Sequence, residues 1–291
     1  MQKVRGPTRK RGRRYGSRGS SPAGRGQVTA APRSRPVSRV HTDIASHDLH
    51  HIWVRGLDLT AEVMGQVSFG EMVFLLVAGR RPDADELHLV DAMLVALVEH
   101  GITPSAMVAR VTYSVAPESL QGAVAAGLLG AGSVVLGSME ECGRLLTRVS
   151  EEVAAGVDRT ESITQIVGEY RSAGLRLPGI GHAIHTEGDP RAARLYALAE
   201  ERGRRGEHLD ALEELAALAS PPGKQLPMNV TGAVAAILLE LGVPWQLHRG
   251  FALISRSAGL VAHVGEELRE PILPAIRRLM REDEAKAREG E

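Results

Sequence analysis

The stretch LPGIGHAIHTEGDPRA, residues 177–192, places three glycines, two histidines, two prolines and an Asp-Pro-Arg triplet within sixteen positions. It interrupts segments whose apolar spacing reads as helix. Part of it is punctuation. Gly174 ends one predicted helix, and Asp189-Pro190 opens the next with a side-chain cap followed by proline in the first turn, where its missing N–H costs nothing. Capping does not account for Gly179-Ile180-Gly181-His182, where two glycines let backbone N–H groups approach a ligand closely and set an imidazole beside them. Arg191 lies just inside a helix N-terminus, where the dipole disfavours positive charge, so an anionic partner is expected. A loop histidine and such an arginine near one turn point to a carboxylate-bearing substrate. An ordinary interhelical turn is the alternative.

Outward from this break the chain reads as helix after helix. Ser68-Phe69-Gly70-Glu71 has capping-box spacing and opens an apolar run that stops at Gly79, and Asp83 to Glu86 begins a second such unit. Thr103-Pro104 starts a third. Further helices are predicted over 118–130, 138–156, 160–173, 190–204, 207–219, 230–241, 245–265 and 271–288. Alternating apolar and polar residues occur only around His51 to Val54, which reads as one early hairpin. The fold class is all-α.

At 291 residues and 43% hydrophobic, the chain can bury one large domain or two small ones, and with 3% aromatics the core must be aliphatic. The single cysteine, Cys142, excludes an internal disulfide and a cysteine-built zinc site, fits a reducing compartment, and reads as a small buried apolar group. Ser119 to Met139 is uncharged and long enough to span a membrane, but its five glycines favour a close-packed helix pair. A soluble, cytoplasmic protein without membrane partners is expected. Zero net charge hides an asymmetry: residues 1–40 carry twelve Lys/Arg and no acid, leaving 23 basic against 35 acidic residues in the body. That basic tail is expected to be disordered. An inert start, a polyanion-binding arm and an organelle presequence are open readings of it, and nucleic acid is expected as a partner only through this tail.

Pro178-Gly179-Ile180-Gly181-His182 followed by Asp189-Pro190-Arg191 resembles the P-G-x-G-H … D-P-R signature of citrate synthases and of the related citryl-CoA lyases, including the lyase module of ATP citrate lyase. Asn229-Val230-Thr231-Gly232 and then Ser255 to His263 are similar to that family's N-V-D motif and its A-R-x-x-G-x-x-A-H segment. His100, in EHGITPSA at 99–106, sits like the histidine of its D-H-x-x-N-A-S segment. The resemblance covers residue 41 to about 272 and is nearest to the short citryl-CoA lyase-like members.

The resemblance implies carbon–carbon chemistry between an acetyl thioester and oxaloacetate, through a thioester enolate whose charge must be stabilised. It assigns the acid/base role to His182, carboxylate anchoring to Arg191 and Arg256, and substrate binding to His100. Pro178, Gly179, Ile180 and Gly181 correspond to the segment that cradles coenzyme A, and Lys224 to a lysine near its phosphates. Two departures stand out. The base that removes the acetyl α-proton in synthases is an aspartate, and that position is Thr231, a very weak base. The L-H-G-G histidine has no counterpart in Ser133 to Gly137.

Cleavage fits those losses better than condensation, because it begins by deprotonating a hydroxyl and generates the enolate directly. The expected function is therefore a citryl-CoA lyase, with a citrate or 2-methylcitrate synthase and a catalytically decayed coenzyme A or citrate sensor as alternatives. Water, Thr231, His185 and Glu187 are all open as sources of the final proton. The family architecture implies a large helical domain, 41–137 plus 236–291, and a smaller one, 138–235, with the active site in the cleft. It further implies a homodimer in which one carboxylate-binding arginine, Arg269 here, comes from the partner chain. The thioester is a substrate, so no tightly bound cofactor is expected. No metal is expected either: His47, His50 and His51, with His41 nearby, read as a solvated entry segment.

Overall fold

The computed structural model describes residues 41–133, 136–182 and 185–289. The basic tail and Val135, one of the positions standing opposite the L-H-G-G segment, lie outside them. From Thr42 the chain enters through a small antiparallel sheet of β1 (Ala45–His47), β2 (Ile52–Val54) and β3 (Leu57–Asp58), with Ser46 opposite Trp53 and Val54 opposite Leu57. The expected hairpin is present and gains a third strand. Arg55 and Gly56, both at positive φ (49° and 82°), make the two-residue turn that the right-handed twist of paired strands favours. His47, His50 and His51 are exposed, in line with a solvated entry segment.

Asp58 caps a single π-helical turn, Leu59–Val63, and helices follow: α1 (Phe69–Ala78), α2 (Ala84–Leu97), α3 (Pro104–Val115) and α4 (Leu120–Leu129). Ser68 accepts the Glu71 N–H and Gly79 closes α1 in the left-handed region at φ 73°. Among the described residues, only Asp83 and Glu86 make both halves of a capping box. Beyond these lie α5 (Gly137–Ala154), α6 (Arg159–Ser172), α7 (Pro190–Glu201), α8 (Glu207–Ala219), α9 (Val230–Glu240), α10 (His248–Glu267) and α11 (Leu273–Glu289). The 119–139 run is not a helix pair packed on itself. It holds α4 and the first residues of α5, and the two helices make their largest contacts with different partners, α4 with α3 and α5 with α9. No described helix is long and apolar enough to cross a membrane.

Helix α9 is the centre of the body. Val230 and Gly232 through Leu238 are buried on every side, and the alanines among them let α5, α7 and α8 pack close around it. A helix wrapped by neighbours has its N-terminus fixed in space, and the 177–192 segment crosses just there. The buried Arg110 of α3 binds Glu267 at 2.7 Å and Glu266 at 2.6 Å on α10, so this guanidinium ties two helices that meet 157 positions apart.

His248, which opens α10, is fully buried; its Nε2 lies 3.0 Å from the Val243 carbonyl, and its Nδ1 faces Gly143 so closely that an alanine there would come within 2.6 Å. Burial pushes its imidazole down to about 4 from 6.5. The unfolded chain therefore binds the extra proton between those values. The contribution of the neutral ring is complete above pH about 6.5, falls as pH is lowered, and is gone below about 4. Urea unfolding at pH 7 and pH 4.5 should show the chain losing on the order of 2–3 kcal/mol more than a His248→Gln variant. Equal losses would mean that this ring is not the titrating group.

Candidate active site

Three hydrogen bonds stitch the loop at Gly179 and Gly181 to the entry of α9. Gly181 N–H donates to the Pro227 carbonyl at 2.7 Å and Asn229 N–H to the Gly179 carbonyl at 3.0 Å. The Asn229 side-chain amide donates to the Gly181 carbonyl at 2.7 Å, while its oxygen caps α9 at the Gly232 N–H. Ile180 pairs with Met228 as an isolated bridge. Gly179 (φ 81°) has a packing reason to be glycine. A Cβ there would lie 2.6 Å from the Cys142 sulfur and 2.9 Å from Gly232 Cα. Cys142 is the floor under this loop, and burial pushes its thiol up to about 12, as expected of a packing residue. Gly181 (φ 77°) has open space where its Cβ would be, so only its backbone conformation demands glycine. Gly179→Ala should therefore cost roughly 2–4 kcal/mol and Gly181→Ala about 1 kcal/mol in denaturant unfolding. A reversed order would contradict this packing.

Three imidazoles meet above the loop. The His182 ring lies 4.6 Å from His185 and 6.0 Å from His100, and His100 is 5.8 Å from His185, centre to centre. The His185 backbone N–H donates to His182 Nδ1 at 3.0 Å, so a neutral His182 carries its proton on Nε2. Burial, opposed by the Asp189 charge and reinforced by His185 and Arg191, holds the His182 pKa below the usual imidazole value. Burial also lowers His100, with the positive charge of Arg191 adding to it. Both rings are neutral at pH 7.

The anionic partner that Arg191 requires turns out to be Asp189. Its carboxylate receives Nε and Nη2, both at 3.0 Å, caps α7 through the Arg191 N–H, and also accepts the Val230 N–H at 2.9 Å. Burial pulls Asp189 up, but Arg191 and the two backbone donors outweigh it and hold the carboxyl below its usual range. One buried side chain thus orients the arginine and locks α7 to α9. The guanidinium is engaged along one edge, and Nη1 lies outside the pair.

Arg256, Gly259 and His263 share one face of α10. Gly259 admits the end of α2: a Cβ there would strike the Val98 carbonyl at 2.2 Å and Glu99 Oε2 at 2.7 Å. Glu99 therefore sits between Arg256 (3.5 Å) and His263 (3.1 Å), while its other contact is the N–H of His100 at 2.7 Å. Burial raises Glu99, yet these donors outweigh it and keep it ionised. Arg256 is buried, which depresses its pKa, as does the like charge of Arg191 within reach. His100, His182, Arg191 and Arg256, far apart along the chain, converge on one region.

Thr231 stands one position inside α9, its hydroxyl donating to Asn229 Oδ1 at 2.7 Å and lying 3.0 Å from the Ser138 hydroxyl at the start of α5. With the Thr231 proton given to Asn229, Ser138 is the donor of that second bond. In place of the carboxylate that the resemblance sets at this position, the structure has a hydroxyl pair wired through Asn229 to the carbonyl preceding His182. Lys224 is exposed on the loop that pairs with the glycine segment, and Arg269 is exposed past the end of α10; neither joins the convergent set. Sequence reasoning missed Glu99, Asn229, Asp189 and Ser138 as supports. The first three lie inside the motifs that were read, whereas Ser138 carried no signal. A separate groove of about 450 Å³ beside Arg148, Tyr170 and Trp245 contains none of these residues.

Residues 50–281 match the citrate synthase C-terminal domain family. The chain belongs to the citrate synthase family. Its fold is similar to that of citryl-CoA lyase from Hydrogenobacter thermophilus, with 36% identity, a TM-score of 0.72, and coverage of 80% of this chain and 90% of that one. ATP citrate lyase from Methanothrix soehngenii shares the fold at 22% identity and TM-score 0.68, over 81% of this chain and 40% of that protein. A putative citrate synthase 2 of Mycobacterium tuberculosis is 30% identical over 194 residues, 65% of this chain and 49% of the relative. The chain spans about half the length of the curated relatives it matches.

Proposed function

We propose that this protein cleaves citryl-CoA to acetyl-CoA and oxaloacetate. The observation that carries this reading is the convergence of two imidazoles and two guanidinium groups beside a position that bears a hydroxyl, Thr231, in place of a carboxylate base. In this scheme Arg191 and Arg256 anchor substrate carboxylates, and His100 helps to bind. The citryl hydroxyl loses its proton to His182. The electron pair of the adjacent carbon–carbon bond passes to the thioester, giving an enolate and the ketone of oxaloacetate, and protonation of the enolate carbon yields acetyl-CoA. As bonded here, His182 offers Nε2–H, the form that donates to a ketone or alkoxide oxygen. Accepting the hydroxyl proton calls for the other tautomer, so the bond from His185 N–H opens at that step. The neighbouring His185 ring, water and Thr231 are the candidate donors to the enolate.

Coenzyme A is assigned to the glycine segment and Lys224, and the cleft to the junction of lobes 41–137 plus 236–291 and 138–235, whose closure would exclude water. A homodimer is part of the same proposal: α3 and α4 expose Met107, Val108, Val115, Leu120 and Leu129, and Arg269 would serve the partner's site. Similarity to citryl-CoA lyase over 90% of that chain supports cleavage. Purified protein with citryl-CoA should release oxaloacetate, read by coupled reduction, and thiol release from acyl-CoA plus oxaloacetate would point to a synthase instead. The hydroxyl pair also favours one other reading, a ligand sensor, in which coenzyme A raises the melting temperature without turnover.

A further inference from the structure

We propose that His100, His182 and His185 bind one divalent transition-metal ion of the zinc type, and that the bound ion switches the site off. One nitrogen from each ring lies within 4.8 Å of the other two. Zinc–imidazole bonds of about 2.0–2.1 Å in a tetrahedral array need nitrogens roughly 3.3 Å apart, so the rings must draw together by at most about 1.5 Å. His100 supplies that movement: it is exposed, beyond the end of α2, next to Gly101 at φ 76°. Three imidazoles without a carboxylate select zinc, copper, nickel or cobalt over magnesium or calcium, and a fourth position is left for water. The nearby guanidinium groups do not forbid a cation, because Arg191 is paired with Asp189 and Arg256 with Glu99. No local spacing announces such a site, since 82 positions separate His100 from His182.

Metal binding and the acid/base role of His182 exclude one another. Coordination through Nδ1 displaces the His185 N–H; coordination through Nε2 occupies the nitrogen that would exchange a proton with substrate and turns an Nδ1 proton against that N–H. The switching-off part rests on the proposed function, whereas the binding part does not, so the experiment reads binding alone. Zinc chloride titrated calorimetrically into the intact chain should give one ion per chain, and cobalt should give the visible bands of a four-coordinate, nitrogen-ligated ion. His100→Ala and His185→Ala should each weaken zinc at least ~10-fold. A His50→Ala/His51→Ala double variant, which alters the exposed entry segment, should bind as the parent does. Absence of binding, a six-coordinate cobalt spectrum on the intact chain, affinity unmoved by the His100 and His185 changes, or affinity lost with His50 and His51 would each overturn the proposal. The cobalt spectrum needs no variant and so survives any that fail to fold.

Discussion

Replacing His182 by alanine is expected to lower the rate of citryl-CoA cleavage by ~10²–10⁴-fold, the range that a positioned acid/base group supplies. That corresponds to about 3–5 kcal/mol of transition-state stabilisation. The fold should tolerate the change: the ring is only partly buried, and although its Nδ1 accepts the His185 N–H, the loop is also held by Asn229, Pro227 and the Gly179 contacts. Coupled detection of oxaloacetate measures the rate, and an unchanged thermal midpoint separates lost chemistry from lost structure. Retention of activity within ~10-fold would remove His182 from the acid/base role. The pH profile carries a second check. Burial keeps the His182 pKa below the ordinary imidazole value, so activity that depends on the neutral ring should persist below the pH at which a free histidine titrates.

A Thr231→Asp substitution is expected to raise condensation, scored as thiol release from acetyl-CoA plus oxaloacetate, by ~10²-fold or more over the unmutated chain. The site has room for that change in electrostatic terms. Position 231 lies in the first turn of α9, where a carboxylate interacts favourably with the helix dipole, and Ser138 is placed to donate to it. The same substitution removes the hydroxyl bond to Asn229, but that residue keeps its bonds to Gly181 and Gly232. A variant that folds, binds coenzyme A and still gives no thiol release would show that the absent carboxylate is not what separates this chain from a synthase.

How much was legible beforehand follows from the range of the forces involved. Ser68, Asp83, Thr103 and Asp189 act on backbone groups two or three residues away, and each helix they open is found within a residue or two of its expected start. Arg55-Gly56 is equally local, and reading it as a turn would have found the third strand. That Asp189 itself pairs with Arg191 is not legible in the residue order, for the opposite reason. A guanidinium is long enough to curl back onto the cap two residues before it, and nothing in its spacing distinguishes that from a bound carboxylate.

From residue order alone came the helical class, the break at 177–192, the aliphatic core and the set of groups able to handle a carboxylate, because helix periodicity, capping and side-chain chemistry are properties of short segments. Tertiary packing alone decided that Gly179 rests on Cys142, that Glu99 is wedged between Arg256 and His263, that Ser138 meets Thr231, and that three imidazoles share one space. Those pairs are joined only when α2, α5, α9 and α10 close around a common core, and the burial that drives this closure is non-directional, so it leaves no local mark on the residues it brings together.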